Sequence, residues 1–430
     1  MRSPGGRIPP GLAWGLYDWA DSAFVTTIVA AVLPVYFASV VCGGSAEVSF
    51  RLLFWNVSGD PTSLWGYAAS IAALVVALAS PLAGALADAG GRRKTWLAAS
   101  AALGIASAAM LSLSGPGMVL YTLVFLAVGE VGFSGAQVFY NSMLADVSRG
   151  VGGRDSVSSG GFALGYLGGG LLLALNTLMI SKPGLFGLAD AAAASRASFA
   201  TVAVWWAVFS VPLFLFVHES RPDGRARGSI REAAGMLAAT ARDILSRRDL
   251  LLFLVAFLLY NDGIQTVILM ASVYGKSDLG LETSSLVGAL LVTQIVGVPG
   301  SLGFGWAARR LGARKALLGG VAAYVAIVLL ASRMDDSTDF MILAVLVGLF
   351  QGGMQAVSRS FFSRLVPAGR GAEYFGFFSV STRFASIFGP LLFALVRDVT
   401  GDGRAAILAV AVLFLAGGAV LSFVRDPEVG

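Results

Sequence analysis

The chain has 430 residues, of which 57% are hydrophobic and only 13% charged, with a mean hydropathy of +0.79 and a formal net charge of +5. A water-soluble domain carries about 25% charged residues, so this composition excludes one and predicts an all-α integral membrane protein. One cysteine and one histidine leave no intrachain disulfide and no Cys/His metal cluster. The basic excess lies in short loops between apolar runs, where it sets topology instead of binding nucleic acid.

Spanning the hydrocarbon core takes about 20 apolar residues. Twelve such runs follow in chain order, roughly at 17–41, 63–87, 95–114, 117–143, 158–181, 198–217, 250–274, 284–307, 315–332, 339–363, 374–396 and 405–424. The first opens with "YDWADSAF", which places Asp18 at the mouth of the helix as an anchor or gate residue and Asp21 one turn deeper. A longer polar outer loop follows, at about 42–62. Lys and Arg are concentrated in segments on the same side as the N-terminus, so both termini are expected in the cytoplasm. The Ala- and Arg-rich composition points to a bacterial inner membrane, and the sequence specifies no oligomeric state.

The longest polar stretch splits the chain into an N-terminal six-helix half (1–217), a linker (218–249) and a C-terminal six-helix half (250–430). In the linker, Ser229 and Glu232 have capping-box spacing. Ile230, Ala233, Ala234, Leu237, Ala241, Ile244 and Leu245 then recur at helical spacing, which predicts an Arg-flanked amphipathic helix on the inner membrane surface. "GALADAGGRRK" after the second run and "GWAARRLGARK" after the eighth occupy corresponding turns, the trace of a duplicated transporter. "GKS" at Gly275–Ser277 lacks the upstream glycine of a phosphate loop, so no nucleotide drive is expected.

The first turn, with Gly84, Leu86, Ala87, Asp88, Gly91, Arg92 and Arg93, resembles the signature loop of the major facilitator superfamily. "YDWADSAF", "VFYNSMLADV", "GFALGYLGGGLLL", "QGGMQAVSRSFFSRLVP" and "EYFGFFSVSTRFASIFGPLLF" resemble its vacuole-effluxer-like branch, whose bacterial members are called unknown major facilitators. That family usually has Asn at the position of Asp21, and Arg309 stands in the second half's turn where Asp88 stands in the first. The resemblance implies a twelve-helix fold in two pseudo-symmetric halves and transport of a small solute, with amino-acid efflux suggested by the fungal relatives. It also implies a cytoplasmic gate of Asp18, Gly84, Asp88, Gly91, Arg92, Arg93 and Asp146. In that gate Asp88 faces the start of span eleven and Arg92 meets Asp146.

An ionisable group at mid-membrane costs about 2.5–3.5 kcal/mol on insertion scales, so each one needs a partner, a cavity or a function. Glu130 and Asp262 fall near mid-depth, with Arg383 somewhat inward; Arg359 also lies inside a span. Glu130 or Asp262 is expected to take up a proton and Arg383 to attract a substrate carboxylate; a static Asp262–Arg383 pair is the competing reading. Gln137, Tyr140 and Asn141 on span four and Gln351 and Gln355 on span ten are placed to hydrogen-bond a solute, or else to tie helix to helix. The expected partners are a small-molecule solute and membrane lipid, with no cofactor beyond a proton gradient. A receptor on the same fold that has lost transport is the alternative.

Overall fold

The computed structural model describes residues 8–52, 54–149, 152–219, 230–277, 280–385 and 387–426. Among these residues twelve helices are long and apolar enough to cross a membrane. Spans one to six are Pro10–Val41, Pro61–Gly90, Arg93–Leu111, Val119–Ser142, Gly153–Ser181 and Ala191–Phe216. Spans seven to twelve are Arg248–Lys276, Ser284–Leu311, Ala313–Ala331, Ser337–Leu365, Gly371–Thr400 and Gly403–Ser422. Every predicted run overlaps its span. The polarity is that of a bilayer protein: large apolar side chains such as Leu78, Val204, Ile295 and Leu415 face outward, while Asp21, Asp88, Asp262, Arg359 and Glu373 are buried.

Span one departs from expectation at its start. It begins at Pro10, after Pro9, because a proline in the first turn gives up an N–H that would have no helical partner anyway. Asp18 therefore lies about two turns inside the helix, buried, and not at its mouth. Span eleven is interrupted: one helix covers Gly371–Phe384 and a second Phe388–Thr400.

Two elements lie outside the spans. The longer outer loop forms an antiparallel hairpin of β1 (Val48–Leu52) and β2 (Trp55–Gly59), with Val48 opposite Gly59 and Phe50 opposite Val57. Alternating β-branched and aromatic residues favour strand here. The connecting helix covers Ile230–Ser246; Ser229 of the expected capping box lies outside the described residues. Its Thr240 and Ile244 are buried against protein, so that strip of the helix is not laid on lipid as expected.

By contact the chain forms two compact units that do not follow its two halves. The first comprises Met1–Ala79, Arg92–Tyr140 and Leu164–Glu219; the second comprises Ser80–Gly91, Asn141–Ala163 and Ser220–Gly430. The repeat read in the turns recurs as a capping device in each unit. In the first, the Arg93 amide donates to Glu219, and Lys94 Nζ donates to the Phe214 and Val217 carbonyls at 2.8 Å each, at the end of span six. In the second, the Arg314 amide donates to Asp426 at 3.3 Å and its Nη1 to the Val424 carbonyl at 2.8 Å, just past span twelve. Both devices follow a glycine with positive φ, Gly91 (57°) and Gly312 (90°). A cation thus satisfies the last carbonyls of the sixth helix in each half.

Candidate functional site

In the first unit the candidate residues gather between spans one and four. Trp14, Tyr17, Asp18 and Asp21 recur at helical spacing and are all buried. Gln137 Nε2 donates to Asp21 Oδ2 at 2.7 Å. Trp14 Nε1 donates to the Tyr140 carbonyl at 3.0 Å, and the two rings stack 4.2 Å apart, with Tyr17 on the other side of Tyr140 at 5.0 Å. The predicted polar row on span four therefore serves several partners, and two of its members, Gln137 and Tyr140, are engaged with span one. Glu130 lies half-buried about two turns before Gln137 on the same span.

In the second unit the third member of that row, Asn141, accepts a hydrogen bond from Arg359 Nη1 at 3.1 Å. Arg359, in the sequence simply an ionisable group inside a span, sits at the centre of a polar interlock joining spans four, five and ten. Its Nε donates to Ser158 Oγ and its Nη2 to the Ser158 carbonyl, both at 2.9 Å, and its guanidinium lies 4.5 Å from the Phe162 ring centre. Ser158 Oγ in turn donates to the Ala356 carbonyl at 2.7 Å. One turn away Asp155 pairs with Arg364 and accepts from Ser360, and Arg154 Nη1 donates to the Ser363 carbonyl at 2.7 Å. The available signal was an arginine followed by "SFFSR" inside an apolar run, which demands oxygen partners from another helix.

The turn after span two makes the companion contact with span eleven. Asp88 Oδ2 accepts the Glu373 N–H at 2.9 Å, in the first turn of Gly371–Phe384, where a helix N-terminus attracts an anion. The backbones nearly touch. A Cβ on Gly84 would strike the Ala372 carbonyl, and one on Gly376 would lie 2.7 Å from the Ser80 carbonyl oxygen and from Pro81 Cα. The Glu373 carboxylate, fully buried, accepts from Arg370 Nε at 2.9 Å and from Thr240 of the connecting helix, whose Asp243 accepts the Tyr374 hydroxyl. Sequence reading did not foresee this second set. Asp146 forms an ion pair with Arg149 at 3.1 Å.

Deeper in the second unit, Asp262 is fully buried and its Oδ2 accepts the Gly389 N–H at 2.8 Å. Among the described residues that backbone group, and not Arg383, is the partner of the carboxylate. Arg383 lies half-buried in the last turn before the break in span eleven. Gln351 and Gln355 are half-buried on span ten, and among the described residues neither makes a side-chain hydrogen bond, unlike Gln137 and Asn141.

The sequence matches a family model described as "Vacuole effluxer Atg22 like" over residues 11–152 and 145–428. It is 35% identical to the uncharacterized MFS-type transporter YxiO of Bacillus subtilis (strain 168), over 96% of this chain and 94% of that protein. It is 28% identical to autophagy-related protein 22-2 of Aspergillus clavatus, a match covering 60% of this chain and 46% of the fungal protein. Among solved structures the fold is similar to the human organic anion transporter MFSD10, with a TM-score of 0.74 and 18% identity over 96% of this chain and 100% of that one. It is also similar to the E. coli fucose:proton symporter FucP, with a TM-score of 0.69 and 16% identity over 97% and 98% of the two chains. At these identities the structural likeness speaks for the fold, that of the major facilitators.

Proposed function

Since the chain belongs to the vacuole effluxer Atg22 like family of MFS-type transporters, we propose that it is a secondary active carrier of a small polar solute, an amino acid or similar metabolite, driven by protons and directed outward. The observation that carries the reading is a pair of acids, Asp21 and Asp262, buried inside apolar spans at 1% and 0% exposure. Two such groups are costly to insert into a membrane, and a carrier that exchanges a proton with each cycle has a use for them. Gln351 and Gln355, half-buried and uncommitted, are the polar groups best placed to meet the solute.

Alternating access follows from the chemistry of the interlock. The contacts around Arg359, Asp155 and Asp88 are hydrogen bonds and ion pairs between separate helices, which can part and re-form without unfolding any helix. They close the end that carries the basic turns, which positive-inside logic assigns to the cytoplasm, with both termini on that side of a bacterial inner membrane. No resident cofactor is needed, because the proton gradient supplies the energy.

The test is flux. Purified protein in liposomes, assayed with radiolabelled amino acids, is expected to show saturable exchange without a gradient and net accumulation when a pH gradient is imposed. Saturable binding with no flux would instead make this a receptor on a transporter fold.

A further inference from the structure

The second segment of span eleven, Phe388–Thr400, starts against span seven. There the Asp262 carboxylate accepts the Gly389 N–H through Oδ2, while among the described residues Oδ1 has no hydrogen-bond partner, and the residue is fully buried. The nearby Thr266 hydroxyl is not available to Oδ1, because it donates to the Asp262 carbonyl at 2.7 Å. The approach is close: a Cβ on Gly389 would collide with the Thr266 hydroxyl and stand 3.2 Å from Asp262 Oδ1. Asp262 therefore acts as an N-terminal cap supplied by another helix, its charge set against the positive end of a segment of 13 residues.

Polar and charged groups also stand on the elements packed against span seven. On its own span, Tyr260 shares a hydrogen bond with Ser358 of span ten at 2.6 Å. Span ten also brings Arg359, held by Ser158 and Asn141, and span eleven brings Arg383 just before its break. Span twelve offers apolar Phe414, whose ring lies against Gly263 and stacks on Tyr324 of span nine at 5.0 Å.

We propose that Asp262 is the site of the coupling proton and that this proton works a latch on span eleven. A proton from one aqueous phase adds to Oδ1. The acid is then neutral, it no longer sets a charge against the helix end, and Oδ2 becomes a weaker acceptor for Gly389. The segment Phe388–Thr400 is released. Return of the proton to the opposite aqueous phase docks it again. The first turn of the same span carries the Glu373 amide that bonds Asp88, so displacement at the break reaches the interlock along one helix. This deepens the proton-driven reading, on which it rests, and assigns the proton to Asp262 in preference to Asp21 and Glu130.

Two measurements test it. In liposomes loaded with unlabelled amino acids for exchange, or with none for accumulation, and given a radiolabelled mixture of the common amino acids outside, the ratio of gradient-driven accumulation to gradient-free exchange is compared for the wild type and for Asp262→Asn, Asp21→Asn and Glu130→Gln. A fall of about ten-fold confined to Asp262→Asn is expected with a gradient of about one pH unit, which at one proton per solute drives an accumulation of about ten-fold, or about 1.4 kcal/mol. A wild type that exchanges solute but ignores the gradient would refute proton drive itself. A responsive wild type whose response survives Asp262→Asn would refute only the latch. Independently, hydrogen–deuterium exchange of the wild-type peptide spanning Gly389, corrected for intrinsic rate, should be about ten-fold faster at pH about 5.5 than at pH about 8. Equal protection at both values would overturn the latch even if the Asn variant failed to fold.

Discussion

A guanidinium buried in an apolar helix persists only where oxygen atoms surround it, and Arg359 has them from Asn141 and Ser158. Replacing it with methionine removes these charge-assisted hydrogen bonds and should lower stability by about 2–3 kcal/mol, read as a lower melting temperature in detergent. Arg359→Lys should recover only part of this, because one ammonium cannot span both partners. At position 21 charge and hydrogen bonding can be separated: Asp21→Asn keeps an acceptor for Gln137 Nε2 and should leave the melting temperature nearly unchanged. Asp21→Leu loses the acceptor and strands a half-buried amide, at about 1–3 kcal/mol. Depth counting is enough to single out Asp262 and Arg383 in the sequence, and Arg359 shows there only as a charge inside a span. Their partners were not legible, because Asp262 is met by a main-chain N–H at a helix break and Arg359 by a serine and an asparagine, residue types that carry no pairing signature.

Helix positions were readable from hydropathy, and the two basic turns announced a repeat; what those turns do was not, since their work is capping carbonyls that no side-chain pattern reports. The connecting helix is legible in the sequence as an amphipathic element, but its side-chain contacts with span eleven are not. Its burial is decided by Thr240 and Asp243, which reach Glu373 and Tyr374, and polar residues on an amphipathic helix read as solvent-facing until a partner is seen. The Asp243 carboxyl is held below its ordinary range, chiefly by the Tyr374 hydroxyl and further by Arg247. A carboxyl lowered on folding adds stability above its unfolded value of about 3.9 and loses it as pH falls through the lower folded value. Docking of the helix should therefore be constant between about pH 5 and pH 8 and weaken only below about pH 4, followed by protease cleavage within the linker. Asp243→Asn together with Thr240→Val should raise cleavage at neutral pH; unchanged protection would mean that apolar packing alone seats the helix.

At the scale of the whole molecule, the two halves were visible in the sequence, but the contact units were not. Spans two, four and five carry ends that belong with the second half, and that regrouping is made by side chains whose partners lie some 200 residues away in the chain, such as Arg359 and Ser158 (201 residues apart). Orientation is open to direct test with Cys42 replaced by serine. Leu185→Cys, at an exposed position between spans five and six, should react with a membrane-impermeant thiol reagent in intact cells. Arg310→Cys, exposed at the end of span eight, should react only after lysis. The reverse result would invert the topology. The hairpin of β1 and β2 has a consequence for experiment as well. Its strands pair only with each other among the described residues, and its tip residue Phe54 is 89% exposed. Loop tips of this kind accept added sequence. A rigid reporter domain or antibody epitope grafted at that tip would give this 44.4 kDa chain a landmark beyond the detergent belt, enough to align single particles for electron microscopy.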